Sequence, residues 1–219
     1  MLEKIYYRLH RMASGPGEQG EYSSGYWQRR IREHAVEMCR HHRGRLLDVG
    51  CGEGLFLGRM VTARPDMEAW GVDEWEVILS RAEKRTARMR TGVRLLRADA
   101  TALPFGDASF DVVVCINVFF NMESIGKVRS ALKEMARVCR KGGRLIFDFR
   151  NSLNPLLAVK YRLAAYYDPT VRSLPLNTYD PGNIKEILGE MNLDITREHG
   201  LFFAVRRFAP VIVMETVKK

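Results

Sequence analysis

Three glycines that follow an apolar, strand-like segment form the first candidate site. The segment LLDVGCGEG, residues 46–54, leads through Asp48 into Gly50, Gly52 and Gly54. Glycine permits a tight turn and lets a ligand approach the backbone closely. Because a helix is predicted to begin directly after this turn, its free N–H groups would favour an anionic group such as a carboxylate or a phosphate.

The spacing of these glycines narrows the choice of ligand. The dinucleotide fingerprint G-x-G-x-x-G would need glycine where Leu55 stands, and the G-K-[ST] sequence of a P-loop is absent, so nucleotide phosphates fit poorly. Asp73 lies nineteen residues after Gly54, at the end of the second predicted strand. Doubly wound folds hold ribose hydroxyls with an acid at this position, which favours a ligand with a free diol.

A third strand end carries groups suited to adenine. Asp99 and Ala100 follow the third predicted strand in RADATALPF, residues 97–105. The Asp99 carboxylate could accept a hydrogen bond from the exocyclic amine while the Ala100 N–H donates to a ring nitrogen. Two simpler alternatives stay open, because Asp99 could only cap a turn and Asp73 could be a helix N-cap.

Alternating strands and helices are predicted to bring these strand ends to one edge of a sheet. The predicted strands are 45–49, 68–72, 93–98, 110–118 and 144–149, and the predicted helices are 26–42, 55–63, 75–90 and 123–140. Gly142 and Gly143 are expected to end the last of these helices. The order predicts an α/β fold, a doubly wound and mostly parallel Rossmann-like sheet, with the ligand beyond the carboxyl ends of its strands.

Taken together, these segments resemble the class I S-adenosylmethionine-dependent methyltransferases. The resemblance is carried by DVGCGEG at 48–54, GVD at 71–73, ADATALPF at 98–105 and FDVVVC at 110–115. It implies S-adenosylmethionine as the cofactor and S-adenosylhomocysteine as the product. By this resemblance the methionine end is held by Asp48, Gly50, Cys51, Gly52 and Gly54, the ribose by Asp73 with Glu74 beside it, and the adenine by Asp99 and Ala100. Asn117 then lies where family members close over the cofactor.

The segment after the fourth predicted strand departs from part of this family. Many members carry a His, often beside a Glu, where this chain has Phe119, Phe120 and Asn121. The departure removes an obvious general base and argues against quinone-type O-methyltransferases that use that acid and His. The [DN]-P-P-[YF] motif of methylases that act on the amino groups of bases is also missing, and no catalytic residue is assigned.

The acceptor side is the least defined part of the predicted site. Methyl transfer needs little acid–base chemistry because the sulfonium is already activated, so holding the nucleophile in line contributes much of the rate. The candidate acceptor residues are Tyr22, Tyr26, Trp27, Asn121, Asp148, Arg150, Tyr166 and Tyr167. For Asp148 and Arg150 a mutual ion pair is the commoner explanation, and helix packing alone accounts for Trp27.

Length and composition favour one domain, 1–219, in which 46% of the residues are hydrophobic. Its predicted parts are an N-terminal helical cap (1–43), a cofactor-binding core (44–150), a lid-like insert rich in proline and tyrosine (151–182), and a closing helix and two strands (183–219). The insert is longer than a usual connection in an α/β unit. We expect the cap and the insert to select the acceptor and exclude water.

The net charge and the cysteines limit which partners, metal sites and cell compartments the sequence is compatible with. Lys and Arg number 35 against 26 for Asp and Glu, so the formal net charge is +9 and nucleic acid is possible but not favoured over solvated helix faces. The four cysteines, Cys39, Cys51, Cys115 and Cys139, show no C-x-x-C pair, and no His has zinc-ligand spacing, so no metal site and no disulfide framework are predicted. Reduced thiols favour the cytoplasm, and no apolar run reaches the length of a membrane span.

The sequence therefore predicts a cytoplasmic methyltransferase that acts on an O, N or C nucleophile of a small molecule. Two alternatives stay open. An RNA-modifying methyltransferase of the same fold would account for the +9 charge. A non-catalytic protein that binds S-adenosylmethionine would account for Asn121 in place of a base.

Overall fold

The computed structural model describes residues 25–87, 89, 92–167 and 175–219. The candidate residue Tyr22 and the loop predicted at 14–25, except its last residue, lie outside this part of the chain, as does the side chain of Tyr167. The description below concerns these residues alone.

The described residues form one sheet of seven strands in the order β3-β2-β1-β4-β5-β7-β6. The strands are β1 (Arg45–Val49), β2 (Glu68–Asp73), β3 (Val93–Arg97), β4 (Phe110–Cys115), β5 (Cys139–Arg150), β6 (Leu193–Leu201) and β7 (Val211–Lys218). Strands β1 to β5 run parallel to one another, whereas β7 is antiparallel to both of its neighbours, β5 and β6. The doubly wound, mostly parallel sheet predicted from the sequence is confirmed, and the carboxyl ends of β1, β2 and β3 meet at one edge.

Helices cover both faces of this sheet. They are α1 (Tyr26–Cys39), α2 (Leu55–Ala63), α3 (Glu76–Thr86), α4 (Ile125–Val138), α5 (Pro155–Tyr167) and α6 (Pro181–Glu190). Side-chain caps fix where two of them begin: Ser124 Oγ accepts from Lys127 N, and Asp180 Oδ1 accepts from Gly182 N and Asn183 N. Short 3-10 turns lie at Phe119–Asn121 and Arg206–Phe208.

Apolar residues on the two faces of the sheet belong to two separate cores. Val113 of β4 packs in one core with Phe147 and Leu132, whereas its neighbour Val112 packs in the other with Ile146. Both valines are at most 1% exposed. This burial on both faces is what the continuous apolar run of β4 predicts for a central parallel strand.

Two expectations about local structure are wrong. Helix α4 ends at Val138, ahead of Gly142 and Gly143, which lie inside β5 instead of ending the helix. Gly142 has φ of 71°, and a Cβ on Gly143 would lie 2.9 Å from Asp111 O. The glycines are therefore needed for an irregular, close approach of β5 to β4.

The insert at 151–182 also differs from expectation, because it contains the 13-residue helix α5. Strand β4 ends at Cys115, short of the predicted 118, since Asn117 has a positive φ of 59° that no extended strand allows. None of the helices in the described part of the chain is long and apolar enough to cross a membrane. The four cysteines are buried free thiols.

Candidate functional site

The glycine-rich turn between β1 and α2 has a backbone that other residues rarely adopt. Gly50, Gly52 and Gly54 have φ values of 74°, 53° and 72°. The amides of Gly50 and Cys51 donate to Val72 O at 2.8 and 2.9 Å, which fastens the turn to β2. Backbone hydrogen bonds to β2 therefore hold the conformation of the turn.

Space as well as conformation requires glycine here. A Cβ on Gly50 would lie 2.4 Å from Val118 Cγ2. On the neighbouring strand, a Cβ on Gly71 would lie 2.6 Å from Leu57 Cδ1 and 2.9 Å from Cys51 Sγ. Gly71 was not among the predicted site residues, although a glycine inside a buried strand signals such close packing.

Asp73 connects the glycine turn to the start of α3. Its Oδ2 accepts from Gly52 N at 2.9 Å, and its Oδ1 accepts from Trp75 N at 3.1 Å. Trp75 itself occupies the N-cap position, so Asp73 forms the turn before α3 and is not the predicted N-cap. Each carboxylate oxygen has a second lone pair, so both can still accept from a ligand diol. Burial raises the pKa of Asp73, against the opposing effect of the N–H groups of Trp75, Gly52 and Glu74.

Asp48, at the end of β1, is a buried carboxyl with unused acceptor capacity. It is 1% exposed, and its Oδ1 makes no hydrogen bond with any residue that the structure describes. Burial raises its pKa to about 8, with a further contribution from Asp73 and an opposing one from Arg32. Arg32, in α1, is itself only 4% exposed.

The end of β3 lies beside Asp73, since Ala98 N donates to Asp73 O at 3.1 Å. Asp99 is exposed, and its Oδ1 accepts from Thr101 N at 2.7 Å and Thr101 Oγ1 at 2.8 Å, which lowers its pKa. This is the turn-capping alternative recognised in the sequence. Ala100 is half-buried against the core, and Glu74 is exposed. The adenine role of Asp99 and Ala100 stays a prediction.

Asn117 joins three segments on the other side of the sheet edge. Its backbone N donates to Asp148 Oδ1 at 2.5 Å, its Oδ1 accepts from Arg150 Nη2 at 3.1 Å, and its Nδ2 donates to Gln28 O at 3.4 Å. Asp148 and Arg150, at most 2% exposed, form an ion pair, as the simpler reading of these two residues expects. Burial raises the pKa of Asp148, and Arg150 and the Asn117 N–H oppose that effect.

Helix α5 is held to this cluster by Arg150. The Arg150 Nε donates to Tyr161 OH at 3.1 Å, and its guanidinium lies 4.5 Å from the centre of the Phe120 ring. Lys160 Nζ lies 3.6 Å from the centre of the Trp27 ring. Side chains from α1, β5 and α5 therefore meet at this edge.

Aromatic residues extend this contact to the end of β6. Trp27 stacks on Phe202 with ring centres 5.0 Å apart, and Tyr26 lies 6.0 Å from the same ring. Tyr166 is 81% exposed and lies outside this buried cluster. Asn121 is half-buried, and its Oδ1 makes no hydrogen bond within the described part of the chain. The sequence analysis missed Gln28, Lys160, Tyr161 and Phe202, because contacts between distant segments leave no local pattern.

This chain is similar in sequence to known methyltransferases. The family model for a methyltransferase domain matches residues 47–147. A demethylmenaquinone methyltransferase of Deinococcus radiodurans is 32% identical over 133 residues, covering 60% of this chain and 54% of the relative. A ubiquinone/menaquinone biosynthesis C-methyltransferase of Dinoroseobacter shibae is 37% identical over 125 residues, covering 56% and 49%. Residues 47–147 therefore belong to the methyltransferase-domain family, in agreement with the resemblance to the class I S-adenosylmethionine-dependent methyltransferases.

A solved structure agrees with this assignment at the level of the fold. The magnesium protoporphyrin IX methyltransferase of Synechocystis PCC 6803, crystallised with bound SAH, has a TM-score of 0.71 at 18% identity and is covered to 95%, with 99% of this chain. The matching part of this chain spans about half the length of the curated relatives named above.

The described residues fit the cofactor of this family. Asp48 offers an unused buried acceptor for a cationic group, and Asp73 has lone pairs left for a diol. Gly50 and Gly52 give the turn the positive φ values, 74° and 53°, that residues with side chains rarely adopt. No group of His, Cys, Asp and Glu in the described ranges could hold a metal ion.

Proposed function

We propose that this protein transfers a methyl group from S-adenosylmethionine to an O, N or C nucleophile of a small molecule. The observation that carries the proposal is the contact of Gly52 N with Asp73 Oδ2 at 2.9 Å, which joins the glycine turn above Asp48 to the acid of β2. The two curated relatives named above act, by their names, on quinones or in quinone biosynthesis, which supports a small-molecule acceptor. Neither name supports the RNA alternative.

The residues of the first three strand ends bind and orient the cofactor. When bound, S-adenosylmethionine supplies a methyl group on a sulfonium that needs no further activation. Asp48 becomes ionised beside the cationic methionine end, and Asp73 accepts from the ribose hydroxyls while it keeps the turn fixed. This positioning makes transfer effectively intramolecular once the acceptor is aligned.

The residues on the acceptor side can make hydrogen bonds to an acceptor, but neither Asp148 nor Asn121 is suited to act as a general base. Asp148 is already bound to Arg150 and to Asn117 N, so its carboxylate holds the edge together and does not take up the acceptor's proton. Asn121 cannot take up a proton, but its buried Oδ1 can accept a hydrogen bond. We therefore expect an acceptor that is already a good nucleophile near neutral pH, and the reduced form of a demethylated quinone, a quinol with ionisable hydroxyl groups, is the first compound to test.

Calorimetric titration with S-adenosylmethionine tests the binding step. Asp73→Ala should weaken binding by about 1–3 kcal/mol, the cost of leaving buried polar groups unpaired. Asp99→Ala should weaken it less, because Asp99 is exposed and its Oδ1 already binds Thr101. Asp194→Ala on β6 is the matched control, since Asp194 is an exposed acid paired with Lys219. Unchanged binding by the Asp73 variant would refute the site.

Transfer of tritium from methyl-labelled cofactor tests catalysis. Incubation with the reduced, demethylated quinol and with a metabolite extract should label a product, whereas a protein that only binds the cofactor would label nothing. The four buried free thiols agree with a reducing compartment, and we assign the enzyme to the cytoplasm.

A further inference from the structure

Helix α5 turns an apolar stripe toward solvent. Leu156, Val159, Leu163 and Tyr166 are 70%, 56%, 50% and 81% exposed. Their spacing of three, four and three residues places them on one face of the helix. Leu157, which is 2% exposed, belongs to the face that anchors the helix to the protein. An amphipathic helix normally buries such a stripe, whereas at least half of each of these four side chains is exposed.

A second exposed apolar segment lies next to the start of α5. Phe203, Val205 and Phe208 are 49%, 53% and 40% exposed. Asn154, just before α5, donates from Nδ2 to Phe208 O at 2.6 Å, and Asn151 Nδ2 donates to Arg207 O at 2.9 Å. The two segments are therefore fixed side by side. We call them together the apolar surface, formed by Leu156, Val159, Leu163, Tyr166, Phe203, Val205 and Phe208.

Only basic charges are interspersed in the apolar surface. Residues 151–167 include Lys160 and Arg162 but no Asp or Glu, and residues 201–209 include Arg206 and Arg207 but no Asp or Glu. Arg206 pairs with Glu198 of β6, whose Oε1 lies 3.7 Å from Arg206 Nε. A surface that is both apolar and basic complements a layer with a hydrocarbon interior and anionic headgroups.

We propose that the apolar surface docks the protein onto a lipid bilayer that contains anionic headgroups. The apolar side chains would enter the boundary between headgroups and acyl chains, and Arg162, Arg206 and Arg207 would contact lipid phosphates, whereas Lys160 stays over the Trp27 ring. A second copy of the chain fits less well, because a two-fold contact would bring the same four basic residues of each copy together. Docking is independent of methyl transfer as such. Its consequence, that the acceptor is drawn from the bilayer beneath α5, rests on the proposed function.

Cosedimentation of the full chain with vesicles tests this surface. The vesicles are phosphatidylcholine alone, or phosphatidylcholine with phosphatidylglycerol. The variant Leu156→Glu/Val159→Glu/Leu163→Glu changes three exposed positions, and Val77→Glu on α3 is the matched control, since Val77 is 68% exposed. Thermal unfolding shows that each variant is folded. We expect binding to the anionic vesicles, a loss of at least about tenfold in the triple variant, and a change of less than about twofold in the control.

Charge is tested with Arg206→Gln/Arg207→Gln, which should weaken binding to anionic vesicles by about 25-fold, since each of the two basic groups near such a surface contributes a factor of about five. Three results would overturn the proposal. They are no binding to anionic vesicles, equal binding by the triple variant, and a dimer in sedimentation that the triple variant dissociates. Calorimetric binding of S-adenosylmethionine is measured on the same proteins, so a failure of docking is distinguished from a failure of the proposed function.

Discussion

The carboxyl edge of the sheet has a proposed cofactor side, at the ends of β1 to β3, and a proposed acceptor side, around Asn117 and Arg150. The two sides are built in different ways. On the cofactor side, the glycine turn is held by backbone–backbone hydrogen bonds, from Gly50 N and Cys51 N to Val72 O of β2. On the acceptor side, side chains bridge segments far apart in the chain, as when Asn117 Nδ2 donates to Gln28 O across 89 positions. Backbone-built geometry survives most side-chain changes, whereas a bridge fails when either partner is lost. The acceptor side should therefore be the more sensitive to single substitutions.

The largest expected effect comes from breaking the buried ion pair at the end of β5. Arg150→Gln leaves the Asp148 carboxyl buried without its cation, so the free energy of unfolding should fall by about 3–5 kcal/mol in denaturant titrations. Asp148→Asn/Arg150→Gln should recover much of this loss, since no uncompensated charge remains. If the single variant is as stable as the wild type, the bridge does not hold the acceptor side together.

On the cofactor side, a comparable loss of stability is expected only from a substitution that alters the backbone conformation of the glycine turn. Gly50→Ala adds a Cβ at a φ of 74°, 2.4 Å from Val118 Cγ2. Strain and overlap should together cost about 2–4 kcal/mol of unfolding free energy and weaken cofactor binding. Gly189→Ala, in α6, is the matched control, because its Cβ would meet nothing within 4 Å, and it should be neutral or slightly stabilising. Equal stability of the two variants would contradict the account of the turn.

Asp48 predicts a pH dependence of stability that belongs to the cofactor side. Its folded pKa of about 8 lies above the ordinary value of 3.8, so its contribution is fully present at pH below 3.8 and is lost as the pH rises through 8. Asp48→Asn cannot ionise, and it should gain about 2 kcal/mol over the wild type near the upper end of this range. Thermal unfolding measured across the range checks this, and parallel curves for the two proteins would rule out a buried neutral Asp48.

The smallest predicted effect distinguishes the two sides directly. Tyr161→Phe removes the hydrogen bond from Arg150 Nε to the phenol oxygen, worth about 1 kcal/mol, without removing the ring. Because Tyr161 lies in α5, the KM for the acceptor should rise severalfold while the dissociation constant of the cofactor stays unchanged. A change in cofactor binding alone would show that α5 does not belong to the acceptor side.

What could be predicted from the sequence follows the same division. The bounds of β1 and α2, the parallel order of the sheet and the glycine turn were predicted correctly, because glycine spacing and apolar periodicity act over a few residues. The predicted role of Gly142 and Gly143 was wrong, since glycine is needed there for the positive φ of Gly142 and for the crowding of Gly143 by Cys139, Arg140 and Asp111 within the sheet. Arg32 and Tyr161 left no signal for a comparable reason, because their burial and contacts depend on segments distant in sequence.

The central claim is that the carboxyl ends of β1, β2 and β3 hold an adenosyl sulfonium, and a crystal structure with S-adenosylmethionine tests it most directly. The account predicts density for the methionine end against Gly50 and Gly52 near Asp48, with the ribose hydroxyls within hydrogen-bond distance of the Asp73 carboxylate. Density for the cofactor at any other place, or a ribose that does not contact Asp73, would contradict it.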